Sequence, residues 1–181
     1  MEIERFNIDG VILFKPKVFR DERGYFFEAF NYNTFTDVVG QPYDFVQDNQ
    51  SMSQKNTVRG LHFQKPPNAQ GKLVSVVQGA VIDLMVDIRK NSKTYGKSLQ
   101  VKLTGHEAAF LWVPPGFAHG FCTLEEDTIF QYKCTNYYHK ASEGAIKWDD
   151  PSFGFKGLIL EPIVSEKDVL APNFKDFTSP F

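Results

Sequence analysis

The chain is divided into short apolar runs of strand length, and turn signals rich in Gly, Pro and Asn separate them. No long helical pattern interrupts the middle of the chain. Regularly spaced short strands of this kind are typical of an antiparallel sandwich or barrel. The pattern predicts about ten strands. They lie near residues 11–19 (interrupted at Pro16), 25–30, 45–51, 58–64, 72–77, 81–88, 99–103, 108–113, 120–124 and 128–135.

Helices are predicted at two places only. Residues 31–39 have a small apolar face, with Asn31 or Asn33 as the N-cap, and Gly40 and Pro42 end the helix. Residues 165–170 fit one or two helical turns. A chain of 181 residues suits one domain, so we expect a single domain over 1–181 whose segment from about 149 is irregular and rich in proline.

Charge and composition exclude several classes of function. The net charge is −2 and the pI is about 6.1, which predicts no nucleic-acid or anionic-membrane partner. Two cysteines, Cys122 and Cys134, do not form a disulfide framework, and Cys134 is expected to be a buried free thiol. No apolar run approaches the ~20 residues of a membrane span, and the first residues do not resemble a signal peptide. We therefore expect a cytoplasmic protein.

The chemistry-bearing residues concentrate around residues 58–64. Arg59 can grip a phosphate with two parallel hydrogen bonds, and His62 can take a proton near neutral pH. Lys72 can stabilise a developing oxyanion. Together these residues suit proton abstraction beside a carbonyl group on a phosphorylated substrate, although solvated cations and a structural histidine would produce the same pattern.

The spacing of Arg59 and His62 carries a geometric prediction. Residues three apart point to opposite faces of a regular strand. If both side chains enter one pocket, Gly60 is the position for a β-bulge that resets the alternation.

Further polar and aromatic residues stand at strand ends and turns. Gln47 and Asn49 share a strand face, and a rigid Pro-Pro-Gly turn is expected to deliver His119 at the start of a strand. Tyr132 and Tyr138 have even spacing, so a continuous strand would place both on one face, as acid and stacking ring or as two packed aromatics. Near the chain start, Arg23 and Glu28 flank a hairpin that is either solvated or part of a site.

The histidines do not indicate a metal site. They are His62, His106, His119 and His139, with no His-x-His pair and no pair at helical ligand spacing. A metal needs three or four converging ligands, so we expect none.

Six motifs, in one order, resemble the dTDP-4-dehydrorhamnose 3,5-epimerase family, and the resemblance runs from Pro16 to Pro172. The motifs occupy residues 46–49, 59–64, 70–74, 114–121, 132–138 and 165–168. The resemblance implies a mainly β fold, a cupin-type jelly roll with a few short helices. It also implies a homodimer that works without metal or cofactor on a dTDP-4-keto-6-deoxy sugar, inverting C3 and C5 in dTDP-L-rhamnose synthesis.

The resemblance also implies roles for individual residues. His62 corresponds to the general base, Asp168 to the carboxylate that holds it, Tyr132 to the general acid and Lys72 to the enolate-stabilising cation. Tyr138 corresponds to the ring stacked on thymine. The nucleotide and sugar contacts correspond to Arg23, Glu28, Gln47, Asn49, Arg59, His119, Glu143 and Lys167. From the residues alone, Asp83 remains an alternative partner for His62.

Three other functions fit parts of this pattern. The first is an epimerase of a related nucleotide 4-keto-sugar that acts at C3 or C5 only. The second is a sugar-binding cupin without catalysis, against which the pairing of His62 with Tyr132 argues. The third is a metal-dependent cupin oxygenase, which metal analysis of the purified protein would distinguish.

Overall fold

The computed structural model describes residues 1–181 and consists mainly of antiparallel β-strands. Two α-helices, α1 (Tyr32–Val39) and α2 (Glu166–Val169), and two short 3-10 helices (Lys140–Ser142 and Phe174–Asp176) complete it. The strands are β1 (Glu2–Arg5), β2 (Ile12–Lys15), β3 (Phe19–Asp21), β4 (Gly24–Phe26), β5 (Gln47–Ser53), β6 (Thr57–Gln64), β7 (Lys72–Gln78), β8 (Ala80–Asp87), β9 (Ser98–Thr104), β10 (Phe110–Val113), β11 (Phe117–Thr123), β12 (Thr128–Cys134), β13 (Glu143–Ala145) and β14 (Ile163–Val164).

Two sheets form the body of the molecule. The first has the strand order β1-β2-β10-β7-β12-β5, and the second has the order β13-β6-β11-β8-β9 with β14 added beside β6. From β5 to β12 almost every connection passes from one sheet to the other, and the β8–β9 hairpin, with its long loop, is the exception. This alternation is the topology of a jelly roll, and the predicted fold class is confirmed.

The two sheets pack against each other, and further elements cover part of each outer face. Apolar side chains of the two sheets, such as Val74, Met85 and Phe130, pack between them. The outer face of the second sheet packs under the C-terminal segment, whose Trp148 and Phe155 are buried there. The part of the first sheet's outer face formed by β2, β10 and the start of β7 packs under α1, whereas Met52 and Val77 are exposed. Because strands in such a fold bury both faces, β8 appears in the sequence as a nearly continuous apolar run.

The early helix forms as the sequence predicts. Asn31 caps α1, because its side chain accepts a hydrogen bond from the Thr34 N–H at 3.1 Å. Gly40 ends the helix with φ 84°, a left-handed conformation that glycine adopts without steric cost. α2 is a single turn within the predicted range 165–170. No helix of the chain combines the length and the apolar character needed to cross a bilayer.

Some predicted strand bounds differ from those of the structure, and the expected alignment of Tyr132 with Tyr138 on one strand is not formed. The predicted strand 25–30 ends at Phe26, and the predicted strand 120–124 begins earlier, at Phe117, which makes His119 its third residue. β12 ends at Cys134, so Tyr132 and Tyr138 do not share one continuous strand. There the Thr135 hydroxyl accepts from Gly71 N–H and Asn136 bonds the next backbone N–H, which turns the chain away from the sheet.

Candidate active site

A cavity opens between the two sheets and has two lobes. The main lobe, about 490 Å³, lies between β6, β11, β12 and the β14–α2 segment. The side lobe, about 260 Å³, is bordered by β5, β13 and the loop after β12. Both lobes are lined by His62, Lys72 and Tyr132. The three candidate catalytic residues therefore stand where the two lobes meet.

A β-bulge in β6 brings Arg59 and His62 to the same cavity. His62 pairs with His119 on β11, and Arg59 pairs with Phe121, so two residues of β6 oppose the single residue Gly120. Gly60 has φ 133°, and a Cβ atom built on it would lie 2.5 Å from the Gly120 Cα. The predicted bulge is confirmed, and it requires glycine because the two backbones approach too closely for a side chain.

Asp168 is the carboxylate that orients His62. Its Oδ1 lies 2.5 Å from His62 Nε2, and its Oδ2 accepts a hydrogen bond from Gly60 N–H at 3.3 Å. Burial alone would raise the pKa of Asp168, but the His62 contact and the N–H donors hold it below the ordinary value. An ionised Asp168 accepts from Nε2–H, and His62 Nδ1 then carries the lone pair.

The irregular C-terminal segment delivers Asp168 to this position. Val164 of β14 pairs in parallel with Val58 of β6, which anchors the segment at the cavity wall. Ser165 then caps α2 by accepting a hydrogen bond from Asp168 N–H at 3.2 Å. The short helix thus places the Asp168 side chain against β6, more than 100 residues away in sequence.

Lys72 and Tyr132 enter the cavity from the first sheet. Lys72 Nζ lies 5.7 Å from the centroid of the Tyr132 ring. Burial lowers the pKa of Lys72, and the carboxylate of Asp83 opposes that shift. Burial also raises the pKa of the Tyr132 hydroxyl, so this group stays protonated at neutral pH. The first sheet thus offers the cavity an ammonium group and a phenolic proton donor.

The inward face of β5 carries small polar side chains. Gln47 Nε2 donates to Asn49 Oδ1 at 3.0 Å, and both residues line the side lobe. Asp48 points to the other face, where it pairs with Lys133. Asn49 also contacts the Cys134 thiol, which is buried and unpaired as predicted.

Ser53, the last residue of β5, orients the side chain of Arg59. Arg59 Nε donates to the Ser53 hydroxyl at 3.1 Å. The terminal nitrogens of the guanidinium make no hydrogen bond in the protein, which leaves its forked edge for a ligand. Ser53 escaped the sequence analysis, although it shares the strand alternation of Gln47 and Asn49.

A polar cluster links the two lobes at the rim. Glu143 accepts hydrogen bonds from Lys167 and, at 3.3 Å, from the Tyr138 hydroxyl. Burial opposes ionisation of Glu143, but its contact with Lys167 holds the pKa below the ordinary value. The half-exposed Tyr138 ring is fixed through its backbone N–H, which donates to Gln47 Oε1 at 2.9 Å. Gln64, another residue that the sequence analysis missed, holds the same loop by bonding the backbone of Tyr137 and His139.

His119 lines the main lobe, and its partner is Asp83. His119 Nε2 lies 2.9 Å from both carboxylate oxygens of Asp83. Asp83 is therefore not the partner of His62, the alternative that the sequence left open. No three His, Cys, Asp or Glu side chains lie close enough together to hold a metal ion.

Two predicted substrate contacts lie away from the cavity. Arg23 sits in the β3–β4 hairpin and forms an exposed ion pair with Asp21 at 2.5 Å. Glu28 follows that hairpin and contacts Asn31 at 3.4 Å. Neither residue lines the main or the side lobe of its own chain.

Comparison with known proteins identifies the relatives of this chain. A family model described as dTDP-4-dehydrorhamnose 3,5-epimerase matches residues 5–176. The epimerase of that name from Salmonella typhimurium is 51% identical, over 95% of this chain and 94% of the relative. The one from Shigella flexneri is 47% identical, over 97% of each chain.

Solved structures agree with the sequence relatives. The dTDP-4-dehydrorhamnose 3,5-epimerase from Elizabethkingia anophelis superposes with a TM-score of 0.93 at 44% identity, covering 97% of each chain. The dTDP-6-deoxy-D-glucose-3,5-epimerase from Legionella pneumophila, in complex with dTDP-4-keto-L-rhamnose, superposes with a TM-score of 0.92 at 42% identity, covering 98% of this chain and 94% of that one. With a family match over nearly its whole length and relatives of this identity, the chain belongs to the dTDP-4-dehydrorhamnose 3,5-epimerase family of isomerases.

Proposed function

We propose that this chain inverts C3 and C5 of dTDP-4-dehydro-6-deoxy-D-glucose and so forms dTDP-4-dehydro-L-rhamnose. The observation that carries the proposal is that the two proton-transfer groups enter the cavity from different sheets. His62 enters the cavity from the second sheet, whereas Tyr132 enters it from the first. Epimerisation needs a base on one face of the sugar and an acid on the other, because a proton returned to the original face restores the substrate.

The chemistry uses one set of residues for both carbons. C3 and C5 each flank the 4-keto group, so removal of either proton gives an enolate on the same oxygen. His62 Nδ1 takes the proton while the electron pair moves to the C4 oxygen, which Lys72 stabilises. Tyr132 then donates its hydroxyl proton to the carbon from the opposite face, and exchange with solvent restores both residues.

The remaining polar residues suit recognition of the nucleotide sugar. We assign the diphosphate to Arg59 and the amides Gln47 and Asn49, since a guanidinium and uncharged donors hold phosphate oxygens. Tyr138 offers a half-exposed ring for stacking on thymine. We assign the sugar hydroxyls and the rest of the nucleotide to the other polar residues of the cavity walls, which are His119, Glu143 and Lys167.

Proton NMR of the substrate with enzyme in D₂O tests this function. We expect deuterium to enter both C3 and C5 and the spectrum of the 4-keto-L-rhamnose product to appear. Exchange at one carbon only would instead favour the single-centre epimerase of a related 4-keto-sugar. Exchange at neither carbon would overturn the epimerase proposal for this substrate.

The homodimer forms part of the same proposal. Arg23 lies in the β3–β4 hairpin, and Glu28 follows it. This hairpin exposes the rings of Phe19, Tyr25 and Phe26 to solvent. Exposed aromatic rings clustered on one element are typical of an interaction surface. We propose that this hairpin packs against a second copy, where Arg23 and Glu28 contribute to the partner's cavity. The cytoplasmic location also stays a prediction from the sequence.

Subunit mixing tests the shared site. Arg23→Ala and His62→Ala each lack one residue of a composite site, and we expect both pure variants to be impaired. Subunits exchanged between the two variants form dimers in which one site has native Arg23 and native His62 together. Activity should therefore rise on mixing, whereas Lys72→Ala mixed with His62→Ala should give no rise. If Arg23 served its own chain, no mixed dimer would regain an intact site.

A further inference from the structure

Two histidine–carboxylate pairs stand side by side in the cavity wall. His62 on β6 and His119 on β11 are direct cross-strand partners. Each uses Nε2 to contact a buried carboxylate, that of Asp168 for His62 and that of Asp83 for His119. The chain thus builds the same arrangement twice on neighbouring strands, and the proposed proton abstraction uses only the first of the two pairs.

His119 is the only hydrogen-bond partner of the Asp83 carboxylate, although Lys72 is close enough to attract its charge. The carboxylate is fully buried, and both of its oxygens lie 2.9 Å from His119 Nε2 without a hydrogen bond to any other group. Burying a carboxylate is costly unless it is paired and hydrogen-bonded. Burial raises the pKa of Asp83, and the contact with His119 opposes that rise, as does the charge of Lys72. A costly buried carboxylate that touches one side chain is best explained by what it does for that side chain.

Asp87 shows what a purely structural carboxylate looks like on the same strand. It is also fully buried and lies four residues further along β8. Its oxygens accept from Arg89, Ser92 and Thr94, and these bonds tie together the turn that follows β8. Asp83 has no such local partners, and it fixes no turn or loop.

The contact with Asp83 sets how His119 meets the cavity. With Nε2 held by Asp83, His119 Nδ1 has no hydrogen-bond partner in the protein. His119 lines the main lobe together with His62 and Lys72, but it does not line the side lobe that holds Tyr138. The position of His119 therefore favours contact with the reacting sugar over contact with the thymine ring.

We propose that Asp83 is a positioning residue that locks the orientation and tautomer of the His119 ring, so that Nδ1 contacts the reacting sugar. Asp83 thus acts on His119 as Asp168 acts on His62, but His119 binds the substrate, whereas His62 is the general base. This inference rests on the proposed epimerase function, and its tests begin with a wild-type enzyme that shows exchange at C3 and C5. A wild-type enzyme without exchange would count against the function, and a fully active Asp83 variant would count against this inference alone.

The primary test compares Asp83→Asn with Asp87→Asn. Both replace a fully buried carboxylate on β8 by an amide of the same shape. We expect Asp83→Asn to lower kcat by ~10- to 100-fold, by analogy with the loss found when carboxylate partners of metal-binding histidines are removed, while its affinity for dTDP stays unchanged. Asp87→Asn should lower the melting temperature and leave kcat near wild type. Equal loss of kcat and of dTDP affinity in Asp83→Asn would indicate a structural role and overturn the proposal.

A double-mutant cycle then asks whether Asp83 acts through His119. In the His119→Ala background, Asp83→Asn should cause little further loss of kcat, because the ring that it positions is gone. A full additional loss would show that Asp83 acts on another group, such as Lys72, and would contradict the proposal.

His119 variants keep the test available if Asp83→Asn does not fold. With Nε2–H donating to Asp83, Nδ1 is an acceptor. The amide oxygen of Asn can occupy the place of Nδ1 and accept from the sugar, whereas the amide nitrogen of Gln can occupy the place of Nε2 and donate to Asp83. We expect His119→Asn to retain more activity than His119→Gln. The opposite order would place the substrate at Nε2 and refute the assigned orientation.

Discussion

His62→Ala is expected to abolish deuterium exchange at both C3 and C5 and to lower the epimerisation rate by ~10²–10⁴, the usual cost of removing a positioned base. The physical reason is that a single base serves two carbons that flank the same keto group. His62 is the histidine whose Nε2 is held by Asp168, at 2.5 Å, with Nδ1 left unpaired. NMR of the substrate in D₂O measures both exchange rates in one experiment.

A matched control for this variant is His139→Ala. His139 lies outside both lobes and contacts the Ser142 hydroxyl at 2.9 Å through Nδ1, so its loss should leave exchange near wild type. Circular dichroism and dTDP binding establish that His62→Ala is folded. If exchange continues at one carbon in that variant, a second base serves that centre, and the single-base mechanism is wrong.

Tyr132→Phe is expected to lose epimerised product by ~10²-fold or more while some exchange at C3 or C5 persists. His62 can still remove a proton and return deuterium to the face it came from, but no acid supplies the opposite face. The substitution deletes one hydroxyl and keeps the ring, which packs 6.0 Å from the Phe130 ring centroid. Product formation and deuterium uptake, measured in the same sample, separate the two effects.

The contrast between the two variants is the strongest test of the assigned roles. Loss of the base His62 should stop both deuterium exchange and product formation, whereas loss of the acid Tyr132 should stop only product formation. A Tyr132→Phe enzyme that epimerises at the normal rate would mean that another group or a water molecule supplies the proton. A variant that loses exchange as completely as His62→Ala would mean that Tyr132 is needed for proton removal as well.

Local patterns predicted the elements that depend on neighbours in sequence. The helix capped by Asn31 and ended by Gly40 formed as expected, because its signals lie within nine residues. The bulge at Gly60 could also be anticipated, since Arg59 and His62 can share a cavity only if the strand alternation is reset. The path of the chain after Cys134 was less predictable, because the Thr135 hydroxyl there accepts a hydrogen bond from Gly71 N–H, which is distant in sequence.

The sequence by itself determined the fold class, the family and the identity of most cavity residues, because strand periodicity and motif order are properties of the chain. Tertiary structure alone decided which carboxylate serves which histidine. Asp83 is closer to His62 in sequence, yet the parallel pairing of β14 with β6 brings Asp168 to His62, and the pairing of β8 with β11 brings Asp83 to His119. Hydrogen-bond partners depend on distances of a few ångströms between strands, and no spacing along the chain encodes these.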